Sequence, residues 1–448
     1  MVLFLFMQPL FAQSVTSSEI LKRTINQKTF KEATLGILVK NLTTDEIIID
    51  HQSDKKLAPA SVLKIHSAVT AIQTFGLNHR FKTSLFISGH VSNGILYGDI
   101  VIKGFGDPTL GGDMDNAVDL QTLEADIKAA LVTLKATCIF GSLVIDASYF
   151  PLPGVPSGYL QEDIANYYGA GVYGINVQDN AYEIEFNRLA NGTVRISKFD
   201  SLAIDEITHD VRAKGSFDLA YAYFHPDHNK IHVVGSIPAG KGKFTIKGAL
   251  KNPPQYLGNK IQRSLISDNY EFQTNPRVQW LPYVLNDEVL FRKEYQSPTL
   301  REILIPVLHK SNNVYAQGLY RQVMKSKSDE VSAQHFVDGS GLSSTNRVSA
   351  KYLMQNLDWI ADEENSSELI DLFPENGKSG TVRSVLRNKP GRLRIKSGSI
   401  GGVRAYAGFH KTSSNEVIGF VLMANQLTGS GSQSRAAWET LLGWIAEL

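Results

Sequence analysis

Pro59-Ala60-Ser61-Val62-Leu63-Lys64 opens an apolar stretch that continues through Ile65, Ala68, Val69, Ala71 and Ile72. These apolar positions mix spacings of three and four, the pattern of a helix buried over most of its circumference, so a helix is predicted to begin at or near Ser61. Residues three apart on a helix share a face, which puts the Lys64 amine within reach of the Ser61 hydroxyl. An amine serves as a base only when neutral, and the apolar neighbours Leu63 and Ile65 disfavour its charged form. A serine at a helix start is equally the ordinary N-cap residue. The segment alone leaves both readings open.

Working outward, Thr34–Val39 and Ile47–Asp50 flank the polar turn Asn41 to Glu46 and predict a hairpin. Phe81 to Lys103 is strand-like with a turn at Ser92-Asn93-Gly94, and runs into Gly104-Phe105-Gly106-Asp107-Pro108-Thr109. A helical spacing at Leu120–Leu134 and a strand at Ser142–Asp146 follow. Short strand-like runs come next at Tyr182–Phe186, Val194–Phe199, Ile231–Val234 and Lys243–Lys247, so the middle of the chain reads as β-rich. Helices are predicted at Asn259–Ser267, Leu300–Val307, Val314–Met324 and Ser349–Asp362. Strands at Arg392–Lys396, Val403–His410 and Val417–Ala424 precede a closing amphipathic helix from Gln433 to Leu448. The expected fold class is α/β in the α+β sense. One antiparallel sheet with helices is completed by the N-terminal hairpin and the C-terminal strands, and is split by a large β-rich insertion.

Two more motifs can join Ser61 and Lys64, and each has competing copies. Ser-x-x-Lys also occurs at Ser53/Lys56, inside the charged string Asp54-Lys55-Lys56 of a solvated loop. Lys-Ser-Gly occurs at Lys378, in a loop of turn residues, and at Lys396, which ends a strand and is followed by Ser397, Gly398 and Ser399. A cation and hydroxyls on a strand edge can hold a carboxylate while a backbone N–H faces a reacting carbonyl. A solvated strand end is the plainer reading of Lys396. Ser-x-Asn occurs at Ser267, Ser344 and Ser413 in polar stretches or turns, and at Ser311 between two helical runs. There the Ser311 hydroxyl and the Asn313 amide are offered from a short inter-helix loop, or Ser311 is another helix cap.

The bulk numbers set limits. A chain of 448 residues predicts two or three domains. Its 43% hydrophobic and 20% charged residues are those of a folded globular protein. A net charge of +1 supplies no electrostatic footprint for nucleic acid, so no such partner is expected. Residues 1–12 are apolar but too short to span a bilayer; they read as the hydrophobic part of a secretory signal or as an ordinary buried strand. The single cysteine, Cys138, makes no disulfide within the chain and is expected to be a small buried filler. His66, five residues beyond Ser61, is expected to pack rather than react, and Asp338 to shape a turn.

In chain order, Ser61/Lys64, Ser311/Asn313 and Lys396/Ser397/Gly398 form the motif set of serine β-lactamases and penicillin-binding enzymes, with Ser397 in place of Thr. The chain at this point resembles the class C low-molecular-mass penicillin-binding proteins, which are D-alanyl-D-alanine carboxypeptidases and endopeptidases. The resemblance extends to Gly104 through Leu110, Tyr168-Gly169-Ala170, Asn176 through Asn180, Lys310 through Asn313, Asp338 through Ser343, and Gly380-Thr381. It departs from the family at Ser397 and at Asn312, where Asp is common; neither change removes a catalytic group.

The resemblance implies a transpeptidase-like catalytic domain at 13–83 and 258–448, divided by an inserted region at 84–257 of two subdomains. It implies Ser61 as nucleophile, Lys64 as its base, Ser311 as proton relay, Asn313 and Lys396 as further catalytic groups, and Ser397, Gly398 and Ser399 as substrate-binding residues. Ser61, Ser311 and Lys396 must then meet in one cleft. Substrates would be peptidoglycan stem peptides, β-lactams would be covalent inhibitors, no metal or organic cofactor would be needed, and the protein would work in the periplasm or cell envelope. A β-lactamase or esterase of the same superfamily is the first rival. An inactive envelope scaffold is the second.

Overall fold

The segment Leu35-Gly36-Ile37-Leu38-Val39 is apolar at consecutive positions, which suits a strand covered on both faces. In the computed structural model, which describes residues 15–285, 287–326 and 336–448, Thr34–Asn41 is such a strand, buried at nearly every position. It pairs antiparallel with Ile47–His51 on one side and Val417–Asn425 on the other. The sheet continues through Val403–Lys411 to the edge strand Leu393–Ile400, so the N-terminal hairpin and the C-terminal strands do join one five-stranded antiparallel sheet. Helix Gly431–Ile445 inserts Trp438, Leu441, Leu442 and Ile445 among Ile37, Val39, Leu393, Ile395, Phe420 and Leu422. Each such large side chain contributes about 1.5–3 kcal/mol by leaving water. Helix Ala350–Asp362 packs against Thr34–Asn41 and Val417–Asn425, burying Leu353, Met354, Leu357 and Ile360. The expected leader at 1–12 lies outside the described residues.

That sheet and its helices form one of two compact units, Met1–Leu57 with Val348–Leu448; the other is Ala58–Arg347. The second unit holds helices Lys64–Phe75, Leu300–His309 and Asn313–Ser326, which pack on one another. It also holds the β-rich part of the chain. A five-stranded sheet runs Arg277–Gln279, Leu143–Asp146, Ile100–Gly104, Lys82–Ser88, Val289–Gln296. A three-stranded sheet is made of Val194–Phe199, Ala181–Arg188 and Gly242–Ala249, and another of Glu206–Ala213, Lys230–Ile237 and Leu219–Phe224. Residues 84 and 257 fall inside Lys82–Ser88 and helix Pro253–Ser267. The two compact units divide the chain at 57/58 and 347/348, and within the second Lys82–Ser88 pairs with Val289–Gln296, which ties both ends of the β-rich region to one sheet.

Several elements differ from expectation for identifiable reasons. Helix Pro253–Ser267 starts ahead of Asn259, since Pro253 and Pro254 occupy the first turn, where proline is tolerated, behind the cap Asn252. Helix Ser17–Ile25, opened by a Thr16/Glu19 capping box, occupies a stretch for which the sequence predicts no element. Strands Glu206–Ala213 and Val289–Gln296 carry too many charged residues to stand out as strands. Cys138 is half-buried on a short strand, beside the Gln273 amide, rather than a fully buried filler. No helix among the described residues is long and apolar enough to cross a membrane.

Candidate active site

The turn before the nucleophile motif is strained. Ala60 has φ +48°, a left-handed conformation that costs a non-glycine residue on the order of 1–3 kcal/mol. It is held there by the loop Asp338–Ser343: a Cβ added to Gly341, itself at φ +77°, would lie 2.0 Å from the Ala60 carbonyl oxygen. Ala60–Leu63 then form a 3₁₀ turn that leads into helix Lys64–Phe75, and neither has a side-chain cap. Ser61 therefore lies within the turn and does not cap the helix.

Lys64 is fully buried. Its Nζ lies 3.0 Å from Ser61 Oγ, 2.7 Å from Asn313 Oδ1 and 2.6 Å from the Ser340 carbonyl oxygen. Burial pushes its pKa down to about 7, while the nearby Asp338 carboxylate pulls the other way. A neutral amine has two N–H donors and one lone pair. Asn313 Oδ1 and the Ser340 carbonyl can only accept, so each takes an N–H of Lys64; the protonated amine donates its third hydrogen to Ser61 Oγ, and in the neutral amine that position is left to the lone pair. The Asn313 amide is itself oriented, because its Nδ2 donates to the Tyr168 carbonyl at 2.7 Å.

Asp338 does shape a turn. Its carboxylate accepts from the backbone N–H of Ser340, Gly341 and Ser343 and from Asn346 Nδ2. What the sequence did not reveal is that the same turn delivers the Ser340 carbonyl to Lys64. Tyr159, bonded through its hydroxyl to Ser340 Oγ at 3.1 Å, adds a second tie to that residue. The signals were faint, since a backbone acceptor leaves no residue-type signature.

Ser311 has φ +58° and stands just ahead of helix Asn313–Ser326. The capping bond of that helix is made by its neighbour: Asn312 Oδ1 accepts from Tyr315 N at 3.0 Å. Ser311, Asn313 and Tyr168 line a cavity of about 410 Å³ that also touches Asp179, Lys247 and Lys310. The structure thus gathers Ser61, Lys64 and Asn313 through direct contacts and puts Ser311 in the cavity wall beside Asn313.

Lys396, Ser397, Gly398 and Ser399 belong to the other unit, on the edge strand Leu393–Ile400. Lys396 is buried, not a solvated strand end, and its Nζ donates to the Ser397 carbonyl at 2.8 Å. Ser397 Oγ lies 2.7 Å from Thr381 Oγ1, so a second hydroxyl accompanies the one that replaces Thr. The competing motif copies are ordinary: Lys378 pairs with Glu375 at 2.6 Å, Lys56 and Ser413 are exposed, and Ser267 bonds back to the Arg263 carbonyl. His66 packs edge-on against Phe336. Among the described residues, no group of three or more His, Cys, Asp or Glu is placed to hold a metal ion.

The chain is 26% identical over 441 residues to the D-alanyl-D-alanine carboxypeptidase DacB of Haemophilus influenzae, covering 92% of this chain and 89% of that protein. It is 23% identical over 414 residues to the D-alanyl-D-alanine carboxypeptidase of Actinomadura sp. R39, covering 84% and 75%. The crystal structure of penicillin binding protein 4 (dacB) from Haemophilus influenzae superposes with a TM-score of 0.78 at 23% identity, over 96% of this chain and 99% of that one, which shows the fold. The model of the D-Ala-D-Ala carboxypeptidase 3 (S13) family matches residues 17–448. The buried lysine at a serine hydroxyl therefore has its family context: this chain belongs to the D-Ala-D-Ala carboxypeptidase 3 (S13) family of serine-type peptidases.

Proposed function

We propose that Ser61 is the nucleophile with which this carboxypeptidase cleaves peptidoglycan stem peptides, and that the same site opens peptide cross-links as an endopeptidase. Ser61 Oγ attacks the carbonyl between the two terminal D-alanines while its proton passes to neutral Lys64. The C–N bond breaks, the terminal D-alanine leaves with a proton relayed through Ser311, and an ester on Ser61 remains. Water then attacks the ester, gives its proton to Lys64, and frees Ser61. By family resemblance, the backbone N–H groups of Ser61 and Ser399 hold the developing oxyanion. Asn313 orients the acyl amide, Lys396 supplies the positive field, and Ser397 and Ser399 bind the terminal carboxylate. A β-lactam follows the same first step, but its leaving group stays tethered. The reading places the protein in the periplasm or cell envelope and treats residues 84–257 as an addition to the catalytic fold.

One observation carries this reading: a fully buried amine, its pKa lowered by burial to about 7, stands 3.0 Å from a serine hydroxyl. Mass spectrometry after incubation with a penicillin tests it. A single adduct on the peptide bearing Ser61 is expected in the native protein and none in Ser61→Ala; an adduct persisting in the variant refutes the assignment. Rapid release of hydrolysed penicillin from the native protein would favour the β-lactamase rival.

A further inference from the structure

The sheet Glu206–Ala213, Lys230–Ile237, Leu219–Phe224 has one face in the core and one outside. Ala222, Phe224, Ile231 and Val233 point inward. The alternate residues of the edge strand, Leu219, Tyr221 and Tyr223, point outward. With Phe217 they make an apolar stripe: Phe217 is 74% exposed, Leu219 54% and Tyr221 40%. The register sets Tyr221 beside Val234 and Tyr223 beside His232, with Thr208 next to His232 on the third strand. A chain of polar groups flanks the rings: Thr208 Oγ1 is 2.8 Å from His232 Nδ1, and His232 Nε2 is 3.2 Å from Asp210 Oδ2. At the Tyr223 end the surface sinks into a cavity of about 400 Å³ lined by Glu206, Thr208, Tyr223, His225, His228 and His232, which is in the size range of small-ligand sites.

We propose that this face binds the glycan strand of peptidoglycan, a chain of N-acetylated amino sugars, as an anchoring site distinct from the catalytic one. Exposed aromatic rings offer flat apolar surfaces to the C–H faces of pyranose rings, and polar side chains beside them match equatorial hydroxyl and amide groups. A peptide strand adding to the sheet fits less well. The Asn166 carboxamide already takes both the N–H of Ala222, at 3.0 Å, and its C=O, at 3.3 Å, in the middle of the edge strand. The platform is also continuous with the site. Asn166 stands two residues before Tyr168, whose carbonyl orients Asn313. Tyr221 is close enough to Tyr168 to help raise its phenol, after burial and Asp163. A sugar chain laid on the stripe would present its own stem peptides near the segment that builds the cavity beside Ser311. The inference rests on the stem-peptide reading above for its biological sense.

The test uses the full chain, peptide-free glycan strands released from peptidoglycan by an amidase, and insoluble peptidoglycan. In Tyr221→Ala/Tyr223→Ala, affinity for the glycan strands is expected to fall about tenfold, the loss appropriate to two aromatic contacts. Turnover of insoluble peptidoglycan should fall in parallel, while penicillin labelling and turnover of a soluble stem peptide stay unchanged. Equal glycan affinity in native and variant protein overturns the proposal, as does no glycan binding by the native chain. So does a native dimer that the variant dissolves, which would assign the stripe to a second copy. If the double variant loses penicillin labelling through misfolding, Asp210→Asn/His232→Gln is judged by the same criteria. Absence of labelling in the native protein would instead sink the nucleophile assignment, and glycan binding is read independently of it.

Discussion

Asn313 Oδ1 sits 2.7 Å from Lys64 Nζ, so a residue 249 positions along the chain accepts one of the amine's hydrogens and helps fix its orientation. As the proposed base, Lys64 works only unprotonated, and its pKa is about 7. Acylation by a penicillin is therefore expected to rise with pH through about 7 and then level off, falling about tenfold per unit on the acid side. Stopped-flow acylation rates across pH check this. Lys64→Ala should lower the plateau by about 10²–10⁴. Stability carries the same sign: the unfolded chain, with lysine at its usual 10.5, binds more protons between about 7 and 10.5, so unfolding free energy should climb with pH in that window.

Asp338 raises the Lys64 pKa against the effect of burial. Asp338→Asn should move the acid limb of the acylation profile to lower pH. It should also destabilise the fold by about 1–3 kcal/mol, because a neutral amide accepts the turn's N–H groups less strongly. An acid limb that stays put would separate Asp338 from the base.

Asn312 caps the helix through Tyr315 N, and the neighbouring Ser311 is proposed to relay the proton. Asn312→Ala should cost about 1 kcal/mol in chemical denaturation, with acylation still measurable, as for a lost helix cap. Ser311→Ala should leave stability within about 0.5 kcal/mol and slow acylation by at least about tenfold.

Lys396→Ala is expected to lower acylation by carboxylate-bearing β-lactams about 10²-fold or more, and to affect a substrate with an amidated terminus much less. Paired kinetics on the two substrate types decide it. Equal losses would remove Lys396 from carboxylate recognition.

Asp107 is buried, accepts from Thr109 N and Oγ1 at 2.8 and 2.7 Å, and has its pKa raised by burial from 3.8 to about 6. A raised carboxyl is favourable below the unfolded value and loses that advantage as pH climbs through the folded one. Native stability should accordingly drop by about 3 kcal/mol across that window from this group alone. Asp107→Asn should flatten the drop, as denaturant midpoints on either side of the window will show.

Legibility in the sequence followed the kind of signal each feature leaves. The central sheet was readable because Leu35–Val39 and Phe420–Ala424 are apolar on both faces, which few other local structures require. Glu206–Ala213 was not, since Thr-His-Asp-Val-Arg shows no clean alternation and becomes a strand through its pairing with Lys230–Ile237. In the site, Ser61 and Lys64 share one helical repeat, so spacing alone suggested their contact. The Ser340 and Tyr168 carbonyls are main-chain groups brought in by loops, and any residue could have supplied them. Ser311 and Asn312 were separable only once the bond from Asn312 to Tyr315 was visible.

Gly341 has a consequence for anyone designing molecules against this protein. With no room for even a methyl group between it and the Ala60 carbonyl, no side chain at position 341 leaves the backbone just ahead of Ser61 where it is. Escape from an inhibitor held on Ser61 would have to come from other positions.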